Sequence, residues 1–118
     1  MPDTLRLYHN ARCSKSRGAC SLLEERGVLV EIVDYLKTPP TKEELRGLCT
    51  KLGLAPSELV RRGEELFNVQ FSGQTLTEEQ WLEALATHPI LLERPILVRG
   101  NRAVLGRPPE RVLDLLIP

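Results

Sequence analysis

Residues 5–35 decide the fold, and they read LRLYHNARCSKSRGACSLLEERGVLVEIVDY. Leu5–Tyr8 is a short apolar-rich run, which predicts a buried first strand. Residues 13–26 predict a helix, because their apolar side chains recur on one stripe and Gly27 supplies a stop. Val28–Tyr35 is rich in β-branched residues and predicts a second strand. Strand, helix and strand together form a βαβ unit, which implies parallel strands and a right-handed crossover.

The middle of the chain, approximately residues 39–93, predicts an all-helical insertion. Capping boxes and a first-turn proline mark three helix starts: Thr41 with Glu44, Thr77 with Gln80, and Pro56, whose helix should end near Gly63. The stretch Phe67–Gln74 shows no clean period, so we expect a loop there.

Strand signals return after the insertion. Ile96–Arg99 and Ala103–Leu105 flank Gly100-Asn101, a pattern typical of a hairpin with a two-residue turn. Residues 111–117 carry apolar side chains at helical spacing and predict a last helix. The whole order predicts an α/β chain: one thioredoxin-like domain over 1–118, with βαβ and ββα halves, a mixed four-stranded sheet and the helical insertion. In that fold the loop before Ile96 carries a cis-proline, so we expect a cis peptide at Arg94–Pro95.

Composition limits the partners and the compartment. Sixteen basic and sixteen acidic residues give the 118-residue chain no net charge, which argues against a nucleic-acid or anionic-membrane surface. No run is long and apolar enough to span a membrane. Three cysteines without an export signal indicate reduced thiols and a cytoplasmic location. His9 and His88 lie far apart, and we expect no metal site.

Cys13 is the candidate nucleophile. It lies on the predicted turn between the first strand and the first helix, where the helix dipole and free backbone N–H groups lower the pKa of a thiol. Ser16 and Arg17, three and four residues later, can reach the same turn. His9 ends the strand on the same rim. This setting predicts a reactive thiolate at Cys13 with three supporting side chains.

The positions of the other two cysteines and the absence of two motifs limit the kinds of thiol chemistry that Cys13 can carry out. Cys20 is roughly 10 Å along the helix axis from Cys13, beyond disulfide reach, and we expect core packing there. Cys49 lies on an apolar stripe and is also predicted to be core. Ala19 stands where the Cys-x5-Arg loop of low-molecular-weight phosphatases needs arginine. Ser16 stands where a C-x-x-C motif needs its second cysteine, so a second thiol must come from another molecule.

Five spaced motifs carry a family resemblance over nearly the whole chain. They are HNARCSKSR from residue 9, YLKTPPT from 35, LVRR from 59, HPILLERPI from 88 and GRPP from 106. In these motifs the chain resembles the glutaredoxin-coupled arsenate reductases, the ArsC-like family, and in particular its short-chain members.

The resemblance implies an activity and a site. In such an arsenate reductase, an oxidoreductase, a Cys13 thiolate attacks arsenate or a similar oxyanion held by Arg61, Arg94 and Arg107. Arg62 is adjacent to Arg61, and either of the two can be the inward one. His9 holds the thiolate or carries a proton. Glutathione is then the co-substrate, glutaredoxin is the partner, and no cofactor is tightly bound.

Two other functions stay open on the sequence. A monothiol glutaredoxin-like oxidoreductase would use the C-x-x-S pattern of Cys13 and Ser16 on glutathionylated proteins, but it has no use for an arginine set. An Spx-like regulator that binds RNA polymerase shares the fold but typically switches through C-x-x-C, which Ser16 removes.

Overall fold

The computed structural model describes residues 5–116, and the chain divides into two compact units. The first unit combines the segments up to Thr38 and from Arg94 onward, and the second is residues 39–93. The prediction of one domain with a helical insertion stays a prediction.

The first unit is built on a mixed four-stranded sheet. Its elements are β1 (Leu5–His9), α1 (Ser14–Glu25), β2 (Val30–Asp34), β3 (Ile96–Arg99), β4 (Arg102–Leu105) and a 3₁₀ segment, Pro109–Leu116. The strand order is β2-β1-β3-β4, with β1 and β2 parallel and both other pairings antiparallel. The predicted βαβ unit, the hairpin and the mixed sheet are confirmed.

The core of this unit lies between the sheet, α1 and the 3₁₀ segment. Its buried members are Leu5, Leu7, Ala19, Leu23, Leu97, Val112 and Leu115. A fully buried leucine side chain stabilises the fold by about 1.5–3 kcal/mol. Because Ala19 and Leu23 fix α1 against the sheet, the first turn of α1 is held beside the end of β1, where Cys13 lies.

Strand β2 and the last helical segment of the first unit have other bounds than predicted. Strand β2 begins at Val30 and not at Val28, because the Val28 N–H donates to Leu23 O (3.2 Å) and closes the end of α1. Gly27, with φ +66°, makes this closure possible. Tyr35 lies in a turn after β2. The predicted last helix is a 3₁₀ segment that begins at Pro109, and Ile117 lies outside the described residues.

The second unit is helical. It contains α2 (Lys42–Leu52), α3 (Glu65–Gln70), α4 (Glu78–Thr87) and two 3₁₀ segments, Pro56–Leu59 and Pro89–Leu91. Thr41 Oγ1 accepts from the Glu44 N–H (3.1 Å), and Thr77 and Gln80 form both bonds of a capping box. The predicted starts of α2 and α4 are therefore confirmed.

The loop predicted over Phe67–Gln74 is wrong over its first half, where α3 forms. Phe67 is buried and its ring stacks on Trp81, with 6.1 Å between centroids, so a tertiary contact stabilises the helix. The helix predicted from Pro56 ends at Leu59 and not near Gly63. It stops there because Val60 forms a β-bridge with Leu92.

Within residues 5–116, two peptide bonds before proline are cis, at Arg94–Pro95 and Arg107–Pro108. The first confirms the sequence-based expectation, and the second was not predicted. No helix within residues 5–116 is long and apolar enough to cross a membrane.

Candidate active site

The loop between β1 and α1 is organised by Asn10, which is 3% exposed. The Asn10 backbone carbonyl accepts from the Cys13 N–H, and its side-chain Oδ1 accepts from the Arg12 N–H, both at 2.9 Å. The Asn10 N–H donates to the hydroxyl of Ser16, at 3.4 Å. These bonds close a tight turn over residues 10–13 and place Cys13 at the N-cap position of α1.

Cys13 is partly buried, and its surroundings favour the thiolate. Burial of the sulfur opposes ionisation, but the backbone N–H groups of Ser16 and Lys15 and the Arg94 guanidinium outweigh it and lower the Cys13 pKa to about 7. The two N–H groups belong to the first turn of α1, whose positive end favours a negative charge on the sulfur. The thiolate is therefore well populated near neutral pH.

Arg94 is the charged side chain that acts directly on Cys13. It is 5% exposed, and its guanidinium favours the thiolate both by hydrogen bonding and by charge. A buried arginine retains its charge, so it presents fixed donors to an anion at this place. Arg94 and Cys13, both predicted site residues, are thus brought together.

Arg107 lies beside Arg94 in the first unit. Its Nη1 donates to the Arg94 backbone carbonyl, at 3.1 Å. The preceding residue, Gly106, donates its N–H to Pro95 O (2.8 Å), and a Cβ at Gly106 would lie 2.8 Å from Pro95 Cγ. Only glycine permits this close approach, which brings the two Arg-Pro segments together.

Ser16 and Arg17 are placed on the Cys13 loop. Ser16 is fully buried; its hydroxyl accepts from the Asn10 N–H, and its own N–H acts on the Cys13 sulfur. Arg17 Nη1 donates to Ala11 O, at 2.8 Å. Ser16 therefore supports the thiolate through its backbone, whereas the Arg17 side chain holds the loop.

His9 ends β1, and its imidazole is partly buried. Burial lowers the His9 pKa, Asp34 opposes this by its charge, and Arg17 adds to the lowering. The His9 Nδ1 atom is buried without a hydrogen-bond partner among residues 5–116. The neutral imidazole is therefore favoured, and its charged neighbours are Asp34 and Arg17.

Arg61 and Arg62 belong to the helical unit, where their surroundings differ. Arg61 Nε lies 3.7 Å from Glu64 Oε1 and 3.8 Å from Glu93 Oε1. The Arg62 guanidinium lies over the rings of Phe67 and Trp81, 5.2 and 5.5 Å from their centroids. Both guanidinium groups thus have partners within the helical unit, carboxylates for Arg61 and aromatic rings for Arg62, and which of the two binds an anion stays a prediction.

The model of the ArsC family matches residues 8–115. The chain belongs to the ArsC family. An arsenate reductase of Neisseria meningitidis serogroup A is 45% identical over 118 residues, which cover 98% of this chain and 100% of the relative. The family resemblance read from the five motifs is therefore confirmed.

Solved structures of ArsC-family proteins share the fold. A structure described as an arsenate reductase from Vibrio cholerae is 40% identical with a TM-score of 0.89, covering 97% of this chain and 98% of that one. A putative arsenate reductase from Yersinia pestis is 42% identical with a TM-score of 0.87, covering 93% and 98%. The predicted thioredoxin-like fold is confirmed.

The other two cysteines of this ArsC-family chain have different surroundings. Cys20 packs beside the core of the first unit, and burial followed by the nearby Glu24 carboxylate raises its pKa. Cys49 is buried in the helical unit, and burial is the main reason that its pKa is raised. All three cysteines are free thiols. Core packing is confirmed for Cys49, while Cys20 is only partly buried.

Sequence reasoning missed Asn10 as a site residue. The signal was present, because an asparagine shortly before a helix N-cap is typical of an Asx turn. Residues 5–116 contain no cluster of three or more histidine, cysteine or acidic side chains able to hold a metal ion. The arrangement therefore offers a thiolate beside fixed cationic donors.

Proposed function

We propose that this ArsC-family protein is an arsenate reductase with Cys13 as its nucleophile. The observation that carries the proposal is the Cys13 thiol, with a pKa of about 7, beside the buried guanidinium of Arg94. An oxyanion that approaches the sulfur meets a nucleophile and a charged donor together. The names of the relatives from Neisseria meningitidis and Vibrio cholerae support arsenate as that oxyanion.

The chemistry begins with attack of the Cys13 thiolate on arsenic. A sulfur–arsenic bond forms, an arsenic–oxygen bond breaks, and the oxygen leaves as water after protonation. Glutathione then attacks the adduct. Arsenic(V) takes two electrons and leaves as arsenite, while the Cys13 and glutathione sulfurs become a mixed disulfide.

The arginines hold the dianion during attack. Arg94 has its guanidinium at Cys13, and Arg107 is bonded to the Arg94 backbone. Arginine supplies planar pairs of N–H donors that match an oxyanion. The sequence motif adds Arg61 to this set, and we include it in the proposal.

The electrons come from an external thiol. Ser16 occupies the place of a second active-site cysteine, and Cys20 lies two turns along α1 with a raised pKa. Glutathione supplies the external thiol that attacks the adduct, and glutaredoxin then reduces the mixed disulfide. No tightly bound cofactor takes part. This chemistry requires a reducing compartment, which places the protein in the cytoplasm.

A coupled assay tests the proposal. Purified protein is mixed with glutathione, glutaredoxin, glutathione reductase and NADPH, and NADPH oxidation is followed with and without arsenate. We expect oxidation that depends on arsenate, with arsenite as product. Oxidation that needs a glutathionylated peptide and ignores arsenate would contradict the proposal and favour the monothiol oxidoreductase that the Cys13-x-x-Ser16 pattern allows.

A further inference from the structure

We propose that Asn10 is a positioning residue: it holds the loop between β1 and α1 in the conformation that directs backbone N–H groups of α1 toward the Cys13 sulfur. The inference concerns the site of the proposed function and rests on Cys13 as its nucleophile.

Asn10 is tied to the loop by every backbone hydrogen-bonding group it has and by its side chain. Its carbonyl accepts from the Cys13 N–H, its Oδ1 accepts from the Arg12 N–H, and its own N–H donates to Ser16 Oγ. With 3% exposure, little water is available to replace these bonds. Loss of the side-chain acceptor therefore leaves the Arg12 N–H without its partner and loosens the turn.

The turn determines which N–H groups the sulfur meets. Asn10 O accepts from the Cys13 N–H, which fixes Cys13 as the N-cap residue. Lys15 and Ser16, the second and third residues of α1, lie in the first helical turn, whose N–H groups have no partner within the helix. These are the N–H groups that an N-cap side chain normally accepts from, and they are the ones that favour the Cys13 thiolate. A shift of the turn moves the sulfur away from both.

A neutral acceptor suits this position. Asparagine and aspartate both form Asx turns, but an aspartate at residue 10 would place a negative charge three residues from the thiolate. A like charge disfavours ionisation of the thiol. The amide of Asn10 supplies the same acceptor oxygen without that penalty.

The experiment is a pH titration of Cys13 thiolate absorbance near 240 nm, in a Cys20→Ser, Cys49→Ser background without arsenate. Asn10→Ala should raise the Cys13 pKa, and a rise from about 7 to about 8 lowers the thiolate fraction at pH 7 about fivefold. Asn10→Ser, which keeps a short acceptor for the Arg12 N–H, should restore part of the loss. Ser14→Ala, an exposed change in the first turn of α1, is the matched control and should titrate like the parent.

The outcome separates positioning from general stability. If Asn10→Ala and Asn10→Ser both titrate like the parent, the inference is wrong, whatever their melting temperatures. Should Asn10→Ala fail to fold, the Asn10→Ser pKa decides: a value between those of the parent and a free thiol supports the inference, and the parent value overturns it. Since arsenate is absent, failure here leaves the proposed reduction untouched, and failure of the coupled assay leaves the titration valid.

Discussion

The N-cap position and the second turn of α1 each carry a partly buried cysteine, yet the surroundings of the two sulfurs act in opposite directions. Cys13, at the N-cap, meets two backbone N–H groups and Arg94, which lower its pKa to about 7. Cys20, two turns later, lies 3.7 Å from Glu24 Oε1, and burial followed by this carboxylate raises its pKa. Burial opposes ionisation at both sites, so the difference comes from the charges and dipoles around each sulfur.

The comparison indicates that the pKa of a thiol depends strongly on its position along the helix. The backbone N–H groups within reach of Cys13 lack partners within α1, because they belong to the first turn. At Cys20 the corresponding N–H groups are bonded within the helix, and the nearest charged side chain is acidic. One helix thus contains both a candidate nucleophile and an ordinary packing thiol.

The largest expected effect separates the two cysteines in the coupled assay. Cys13→Ser should lower arsenate-dependent NADPH oxidation by on the order of a thousandfold or more, because a serine hydroxyl is hardly ionised at neutral pH. Cys20→Ser is the matched control and should stay within about twofold of the parent. Equal loss in both variants would show that reactivity does not follow position on α1.

The second-largest expected effect tests Arg94, the cationic side chain that acts on Cys13. Arg94→Ala should weaken arsenate or sulfate binding by about 10- to 150-fold, since a charge-assisted contact contributes about 1.5–3 kcal/mol. Arg94→Lys should recover only part, because lysine lacks the planar pair of donors. Calorimetric titration measures both, with the exposed Arg102→Ala as control. Unchanged affinity in Arg94→Ala would remove Arg94 from the anion site.

A smaller effect is expected in alkylation by iodoacetamide across a pH series. The nucleophile is the thiolate, so the Cys13 rate should rise as the pH passes through about 7. The Cys20 rate should rise only at higher pH, because burial and then the Glu24 carboxylate raise the Cys20 pKa. A low-pKa thiolate is intrinsically less nucleophilic, but the larger thiolate fraction of Cys13 at pH 7 should still make its alkylation several-fold faster than that of Cys20. Mass spectrometry of labelled peptides measures each site. Coincident profiles would contradict the assignment of Cys13.

The smallest expected effect concerns the alkylation rate of Cys20. Glu24→Gln removes the carboxylate that adds to the raised Cys20 pKa and leaves burial, the larger cause, in place. Cys20 alkylation at pH 8 should therefore rise about two- to threefold, with Cys13 unchanged. A change at Cys13 instead would mean that Glu24 acts beyond its own turn.

Sequence could predict the parts of the fold that local signals specify. Strand β1 follows from a short apolar run, α1 from its apolar stripe and β2 from β-branched residues. The β3–β4 hairpin follows from Gly100-Asn101. Helix α3 was missed because its stability comes from Phe67 packing on Trp81, a residue farther along the chain. The start of β2 was misplaced because Val28 completes the end of α1, a bond that β-propensity does not register.

The sequence also predicted only some of the candidate site residues. The place of Cys13 follows from the βαβ pattern, and Arg94 from a family motif. Asn10 was missed although an asparagine before a helix N-cap is typical of an Asx turn, because its three hydrogen bonds leave no periodic pattern in the sequence. The choice between Arg61 and Arg62 stays open, because their different partners, two carboxylates for Arg61 and two rings for Arg62, do not identify the one that binds an anion.

The bond from Arg107 Nη1 to the Arg94 carbonyl makes the two arginines thermodynamically coupled. Arg107→Ala removes the Arg107 guanidinium and, with it, the hydrogen bond to the Arg94 carbonyl. The loss of anion binding measured for this variant therefore includes part of the contribution of Arg94. Single substitutions will therefore sum to more than the double variant loses. A double-mutant cycle would report that excess as a coupling energy, and a cycle between Arg94 and the distant Arg102 should report almost none.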